Sequence, residues 1–122
     1  MPQRTAKQLF RDYVEIWETG NLDGLGATIH DEYVGHTSSG DRDREGLRQR
    51  IMAFRQGYRN ARFGIEDQLA ERDKVASRLI ATATRAADAQ EVVLYGLNIS
   101  RIADGRIIEE WMAWEVQPAA PA

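Results

Sequence analysis

Residues 101–115, RIADGRIIEEWMAWE, set two apolar runs on either side of an Asp104-Gly105 pair. Asp-Gly readily supplies the positive φ values that a two-residue hairpin turn needs, so the runs read as paired antiparallel strands. Upstream, ARFGIEDQLAER, DKVASRLIATATRA and EVVLYGLNISRIADG are strand-like runs bounded by polar turns, so this hairpin closes a set of four antiparallel strands. Neighbours on a strand face opposite sides. Glu110 therefore shares a face with Ile108, Met112 and Trp114, and Glu109 with Ile107, Trp111 and Ala113. At least one carboxyl lies in apolar company.

The first half of the chain has a different period. Between Thr5 and Thr19, Ala6, Leu9, Phe10, Tyr13, Val14 and Trp17 recur at three-and-four spacing, which predicts a helix stopped at Gly20. In NLDGLGATIHDEY, Asn21 caps a short second helix with Leu22, Leu25 and Ile29 inward. EYVGHT reads as a short strand and SSGDRDREG as a polar loop. A third helix is expected from about Asp43 to Tyr58, with Leu47, Ile51 and Phe54 as its stripe. Helices grouped before strands predict an α+β fold, a cone-shaped curved antiparallel sheet wrapped around three N-terminal helices. One domain is expected over residues 1–117, with the Pro/Ala-rich end of QPAAPA supplying a flexible C-terminal tail at 118–122.

Composition narrows the function. With 122 residues and 43% apolar content the chain can bury a core, and a net charge of −3 gives no general attraction to nucleic acid or to an anionic membrane. The absence of cysteine excludes disulfides and thiolate metal sites and fits a reducing compartment, so the cytoplasm is expected. The N-terminus lacks the apolar run of a signal peptide, and no segment approaches the roughly 20 apolar residues of a membrane span. DRDREG begins like a calcium loop, but its twelfth position is Met52 where a glutamate is needed. Gly24 and Gly26 lack the third glycine of a dinucleotide site, Ile29 standing there. Asn98-Ile99-Ser100 matches a glycosylation sequon inside a strand, and is read as coincidence. The two histidines have no metal-binding spacing. No metal and no cofactor are expected. Seven arginines between residues 42 and 62 read as a solvated helix face diluted by Asp41, Asp43 and Glu45, and no nucleic-acid or membrane partner is expected.

Two stretches, YVEIWETGNLDGLGATIHDEYVGH and ISRIADGRIIEEW, together with the order of elements, resemble the SnoaL-like polyketide cyclases of the nuclear-transport-factor-2-like, ketosteroid-isomerase-like superfamily. The resemblance covers nearly the whole chain. It implies a cystatin-like α+β barrel with a ligand cavity, often a homodimer through the outer sheet face. Cyclases, steroid isomerases, epoxide hydrolases and non-enzymatic binders share that fold, so function must be argued from residues. Aligned through the Asp-Gly turn, the resemblance puts Ile108, Glu110, Met112 and Trp114 inward on the last strand. It puts Gly96, Asn98 and Ser100 inward on the preceding strand, and Arg78, Ile80, Thr82 and Thr84 inward on the one before that.

Glu110 is then the pocket acid. Walled by Met112, Trp114 and Ile80 it would lose hydration, and its pKa would rise toward the range useful for acid/base work. Contact with Arg78 would instead hold it ionised in an ion pair. The aspartate that serves as acid/base in the characterised cyclases falls on Met112, and a thioether exchanges no proton. Glu110 must take over that role, or the activity is gone. Tyr13 and Asn98 match the two oxyanion donors of the isomerases, although Tyr13 also reads as a core aromatic. His36 falls near the place of the isomerase base, and His30 reads as a surface cap.

These residues imply cofactor-independent acid/base chemistry, an aldol cyclisation or isomerisation, on an apolar carbonyl compound such as a polyketide. Glu110, His36, Tyr13 and Asn98 would be catalytic, with Trp17, Phe54, Arg78, Ile80, Met112 and Trp114 binding substrate. The alternative is a non-catalytic ligand-binding or dimerisation module. An epoxide hydrolase stands third, because its Asp, Arg, Asp arrangement is missing from the inward positions. A cavity on which the four catalytic candidates converge favours the enzyme, and a cavity filled by side chains favours the module.

Overall fold

The computed structural model describes residues 4–119. Helix α1 (Ala6–Thr19) starts at a reciprocal cap, where the Thr5 side chain accepts from the Gln8 N–H and the Gln8 side chain accepts from the Thr5 N–H. It ends at Gly20, whose φ of 76° is the left-handed conformation that glycine adopts without penalty. A 3₁₀ turn (Leu22–Gly24), with the Asn21 side chain accepting from the Asp23 N–H, leads into a single helical turn, α2 (Leu25–Thr28). Helix α3 (Arg44–Gly57) is capped by the Asp43 carboxylate, which accepts from the Gly46 N–H at 2.8 Å.

The strands are β1 (Ile29–Thr37), β2 (Gly40–Arg42), β3 (Tyr58–Glu71), β4 (Lys74–Arg85), β5 (Glu91–Ala103) and β6 (Arg106–Pro118). They form one curved, unclosed sheet of order β2-β1-β6-β5-β4-β3, in which only the β1–β6 pairing is parallel. The four-strand run and its hairpin are as the sequence implies, and Asp104 and Gly105 carry the expected positive φ values of 54° and 72°. Two elements differ from expectation. The short strand starts earlier, at Ile29, and part of the expected polar loop pairs back onto it as β2, with Gly35 opposite Arg42. Pro118, the first position of the expected tail, belongs to β6, and just beyond the strand the Ala119 N–H donates to the Glu91 carbonyl. Residues 120–122 lie outside the described part of the chain.

The helices cover the inner sheet face. Leu9, Phe10, Tyr13, Ile29, Tyr33, Leu47, Ile51, Val75, Leu79 and Ile107 form the main cluster. Ala81, Ala83, Val92 and Leu94 form a second one, continued by Phe54, Tyr58 and Phe63. Cross-strand partners share a face, so the pairs Ser77–Asn98 and Leu79–Gly96 decide which side of β4 is inward. Ser77, Leu79, Ala81 and Ala83 point in, whereas Arg78, Ile80, Thr82 and Thr84 point out, the reverse of the phase expected above. A one-residue error of register turns over every side chain of a strand. On β6 a bulge places Arg101 opposite Glu109 but Ile102 opposite Ile107. Ile107, fully buried, therefore replaces Ile108 as the inward residue, while Glu110 keeps its inward position.

Candidate functional site

Glu110 is wholly buried, and the elements around it supply its hydrogen bonds. From α1, the Tyr13 hydroxyl donates to Oε1 at 2.8 Å; from β1, the Tyr33 hydroxyl donates to the same oxygen. From β5, Asn98 Nδ2 donates to Oε2 at 2.7 Å, and the Ser100 hydroxyl donates to Asn98 Oδ1 at 2.7 Å. Four neutral side chains thus aim their donor chain at one carboxyl. Among the described residues no buried side-chain nitrogen or oxygen is left without a partner.

Backbone geometry makes this convergence possible. Gly35 lies directly across the parallel pairing from Glu110. A methyl group at Gly35 would collide with the Tyr33 hydroxyl, so the missing side chain is what lets that hydroxyl cross to Glu110. Gly96 does the same for Trp114, because a Cβ there would stand 2.7 Å from the indole.

Burial disfavours the charged carboxyl and pushes the Glu110 pKa up, more than the donors from Tyr33, Asn98 and Tyr13 and the field of Arg50 pull it down. Both tyrosines are raised in turn, first by burial and then by the neighbouring Glu110. Burial thus shifts the balance of this carboxyl toward its neutral form relative to a carboxyl in water.

Above the carboxyl, Trp17, Phe63, Met112 and Trp114 close the pocket. Trp17 packs edge-on against Tyr13 and Phe54, and Phe63 packs edge-on against Trp114 at 6.1 Å. The free space left is about 20 Å³, room for about one water. A larger molecule must move those side chains.

The structure brings Glu110, Tyr13 and Asn98 together, with Trp17, Met112 and Trp114 lining the same pocket and Phe54 behind Trp17. It does not bring His36, Arg78 or Ile80 to them. His36 points to the outer face, stacked on Trp111 with ring centroids 5.3 Å apart. Its Nδ1 lies 2.9 Å from Asp41 and its Nε2 2.8 Å from Glu109, and those hydrogen bonds raise its pKa. Arg78 is exposed on the same outer face and paired with Asp67 at 2.6 Å, so it leaves Glu110 alone. Ile80 follows the same outward phase of β4. His30 is buried and not a surface cap. Its Nδ1 accepts from the Glu32 N–H, and its Nε2 reaches Asp104 in the closing hairpin turn at 3.1 Å.

Three site residues lie outside the sequence expectation: Phe63 of the pocket wall, Tyr33 and Arg50. Tyr33 shares a strand face with Gly35, a bulky donor followed two residues later by an empty position, which was its visible signal. Arg50 lies three residues after Leu47 and four before Phe54, on the apolar stripe of α3. Its guanidinium sits 5.8 Å from the centre of the Trp17 ring, and Nη1 touches Met112 Sδ at 3.4 Å.

The chain belongs to the SnoaL-like polyketide cyclase family, whose profile matches residues 7–121. Among solved structures it is similar to IdmH, a candidate polyketide cyclase from Streptomyces antibioticus, at 22% identity and a TM-score of 0.83, covering 92% of this chain and 93% of that one. A candidate polyketide cyclase from Bacillus cereus matches at 28% identity and a TM-score of 0.79, covering 88% of this chain and 72% of that one. A SnoaL-like polyketide cyclase from Agrobacterium tumefaciens matches at 15% identity and a TM-score of 0.82, covering 92% of both chains. No relative is found among curated protein sequences. No described helix is long and apolar enough to cross a membrane.

Proposed function

We propose that the protein is a cofactor-independent acid/base enzyme acting on an apolar carbonyl compound such as a polyketide, with Glu110 carrying the proton. The supporting observation is the fully buried carboxyl at the floor of an apolar pocket, held by hydroxyl and amide donors alone. In the reaction Glu110 takes a proton from the carbon next to the carbonyl and later returns it, at the same carbon or another, giving an aldol cyclisation or an isomerisation. Tyr33 keeps the carboxyl in place. Once Glu110 carries the proton it needs the Tyr13 hydrogen less, and the Tyr13 hydroxyl and the second amide hydrogen of Asn98 stabilise the enolate oxygen. Low-dielectric walls strengthen both bonds. The cysteine-free composition agrees with a cytoplasmic setting.

The test uses 1-tetralone in D₂O, with deuterium uptake next to the carbonyl followed by NMR. The wild type should accelerate uptake and Glu110→Gln should reduce the acceleration about 100-fold or more. An equal rate in the variant removes Glu110 from the chemistry.

A cavity of only about 20 Å³ favours a second reading, a non-catalytic ligand-binding module. Under it, apolar ligands raise the melting temperature of wild type and Glu110→Gln alike, and no ketone exchanges.

We also propose that the outer sheet face pairs with a second copy of the chain. Leu69 (75% exposed), Leu97 (62%), Tyr95 (46%) and Ile99 (45%) make that face apolar. A hollow of about 570 Å³ beside Trp111 adds concave surface. Analytical ultracentrifugation should find a dimer that Leu97→Asp converts to monomer, and a monomeric wild type contradicts the pairing.

A further inference from the structure

Helix α3 carries four arginines, and three of them end on oxygen. Arg44 reaches Asp31 at 2.8 Å, Arg48 reaches Glu45 at 3.8 Å, and Arg55 donates to the carbonyl of Glu18 at 2.6 Å. Arg50 is different. Among the described residues its only hydrogen-bond acceptor is the Met112 sulfur, and its guanidinium stands over the Trp17 ring. A thioether is a weak acceptor, whereas a guanidinium offers five donors in a planar fork suited to a carboxylate.

Both residues that Arg50 touches line the pocket over Glu110. The helix stripe directs the guanidinium there, since Arg50 falls between Leu47 and Phe54. Half-buried, it keeps enough contact with water to be tolerated unpaired, and enough apolar surroundings for an incoming anion to bind strongly. Trp17 offers a flat face for a ring next to that charge.

We propose that the ligand of the inner pocket is an apolar ring compound bearing an anionic group, a carboxylate or an acidic enol, and that Arg50 binds that group. The inference rests on the reading of this pocket as a ligand site. Arg50 then acts as a specificity residue, holding the anionic end at Met112 while the ring passes over Trp17 toward Glu110. A carboxylate at position 112 would occupy the fork from within the protein. Methionine leaves the fork to the ligand.

The probes are 2-naphthoate and methyl 2-naphthoate, which share a ring and differ in charge, titrated calorimetrically into the full chain. Wild type should bind the acid about tenfold more tightly than the ester, the worth of one charge-assisted pair. Arg50→Leu should lose that preference by weakening the acid alone, and Arg50→Lys should retain part of it. Met112→Glu, which supplies an internal partner and leaves Arg50 in place, should lose the preference too, so the test does not depend on one variant folding. Equal affinity of wild type for acid and ester overturns the inference and leaves the pocket reading standing. A preference for the acid that survives both Arg50→Leu and Met112→Glu also overturns it. Failure of both probes to bind wild type overturns the inference together with the pocket reading beneath it.

Discussion

Glu109 and Glu110 are adjacent in the chain and live in different solvents. Glu110, on the inner face, is fully buried and accepts only from neutral hydroxyl and amide groups. Glu109, on the outer face, is about one-quarter exposed and clasped by two potential cations, His36 at 2.8 Å and Arg101 at 3.0 Å. The same functional group consequently moves in opposite directions. Burial raises the Glu110 pKa above the ordinary 4.5, while hydrogen bonds from His36 and then Arg101 lower that of Glu109. Charged partners suit a carboxylate that stays ionised and ties strands together. Neutral partners in a dry pocket suit one that exchanges a proton.

The sharpest break of this contrast is truncation. Glu110→Ala leaves the Tyr13 and Tyr33 hydroxyls and the Asn98 amide without their shared acceptor and opens a cavity. It should cost about 3 kcal/mol in a urea titration. Glu109→Ala removes two partly exposed ion pairs and should cost about 1 kcal/mol. Similar losses for the two would mean that the inner cluster is not the closed network described.

A smaller effect separates the faces by pH. Both nitrogens of His36 face carboxylates, and the imidazolium, with hydrogen on both nitrogens, is the form that satisfies both partners. Its folded pKa is raised above 6.5. Its stabilising contribution is therefore complete below that value and is lost as the pH climbs through the raised one. The stability difference between wild type and His36→Gln should shrink from pH 6 to pH 9, read from urea midpoints. A difference constant over that range contradicts the clamp.

Much of this was legible in the sequence because it depends on period and turn chemistry. The helices announced themselves by spacing and caps, and the Asp104-Gly105 turn fixed the closing hairpin. Alternation then separated Glu109 from Glu110. What failed depended on register. The phase of β4 is set by the Ser77–Asn98 pairing across a connection whose length does not dictate it, so the sequence alone leaves open that Arg78 lies on the other side of the sheet from Glu110. The alternation within β4 carried the better signal, because Lys74, Arg78 and Thr82 share one face and Val75, Leu79 and Ala81 the other. The face of His36 depends on a parallel pairing with β6, which sets it against Trp111 and which no local pattern announces. Arg50 was submerged among seven arginines, although its position on the apolar stripe distinguished it from the solvated ones.

The most direct measurement is a pH titration of the two carboxyl carbons by NMR, with ¹³C-labelled glutamate and assignments from Glu109→Gln and Glu110→Gln. Glu110 should titrate with a midpoint above the ordinary 4.5 and Glu109 with one below it. A Glu110 midpoint at or below that of Glu109 would contradict a buried carboxyl poised to carry a proton.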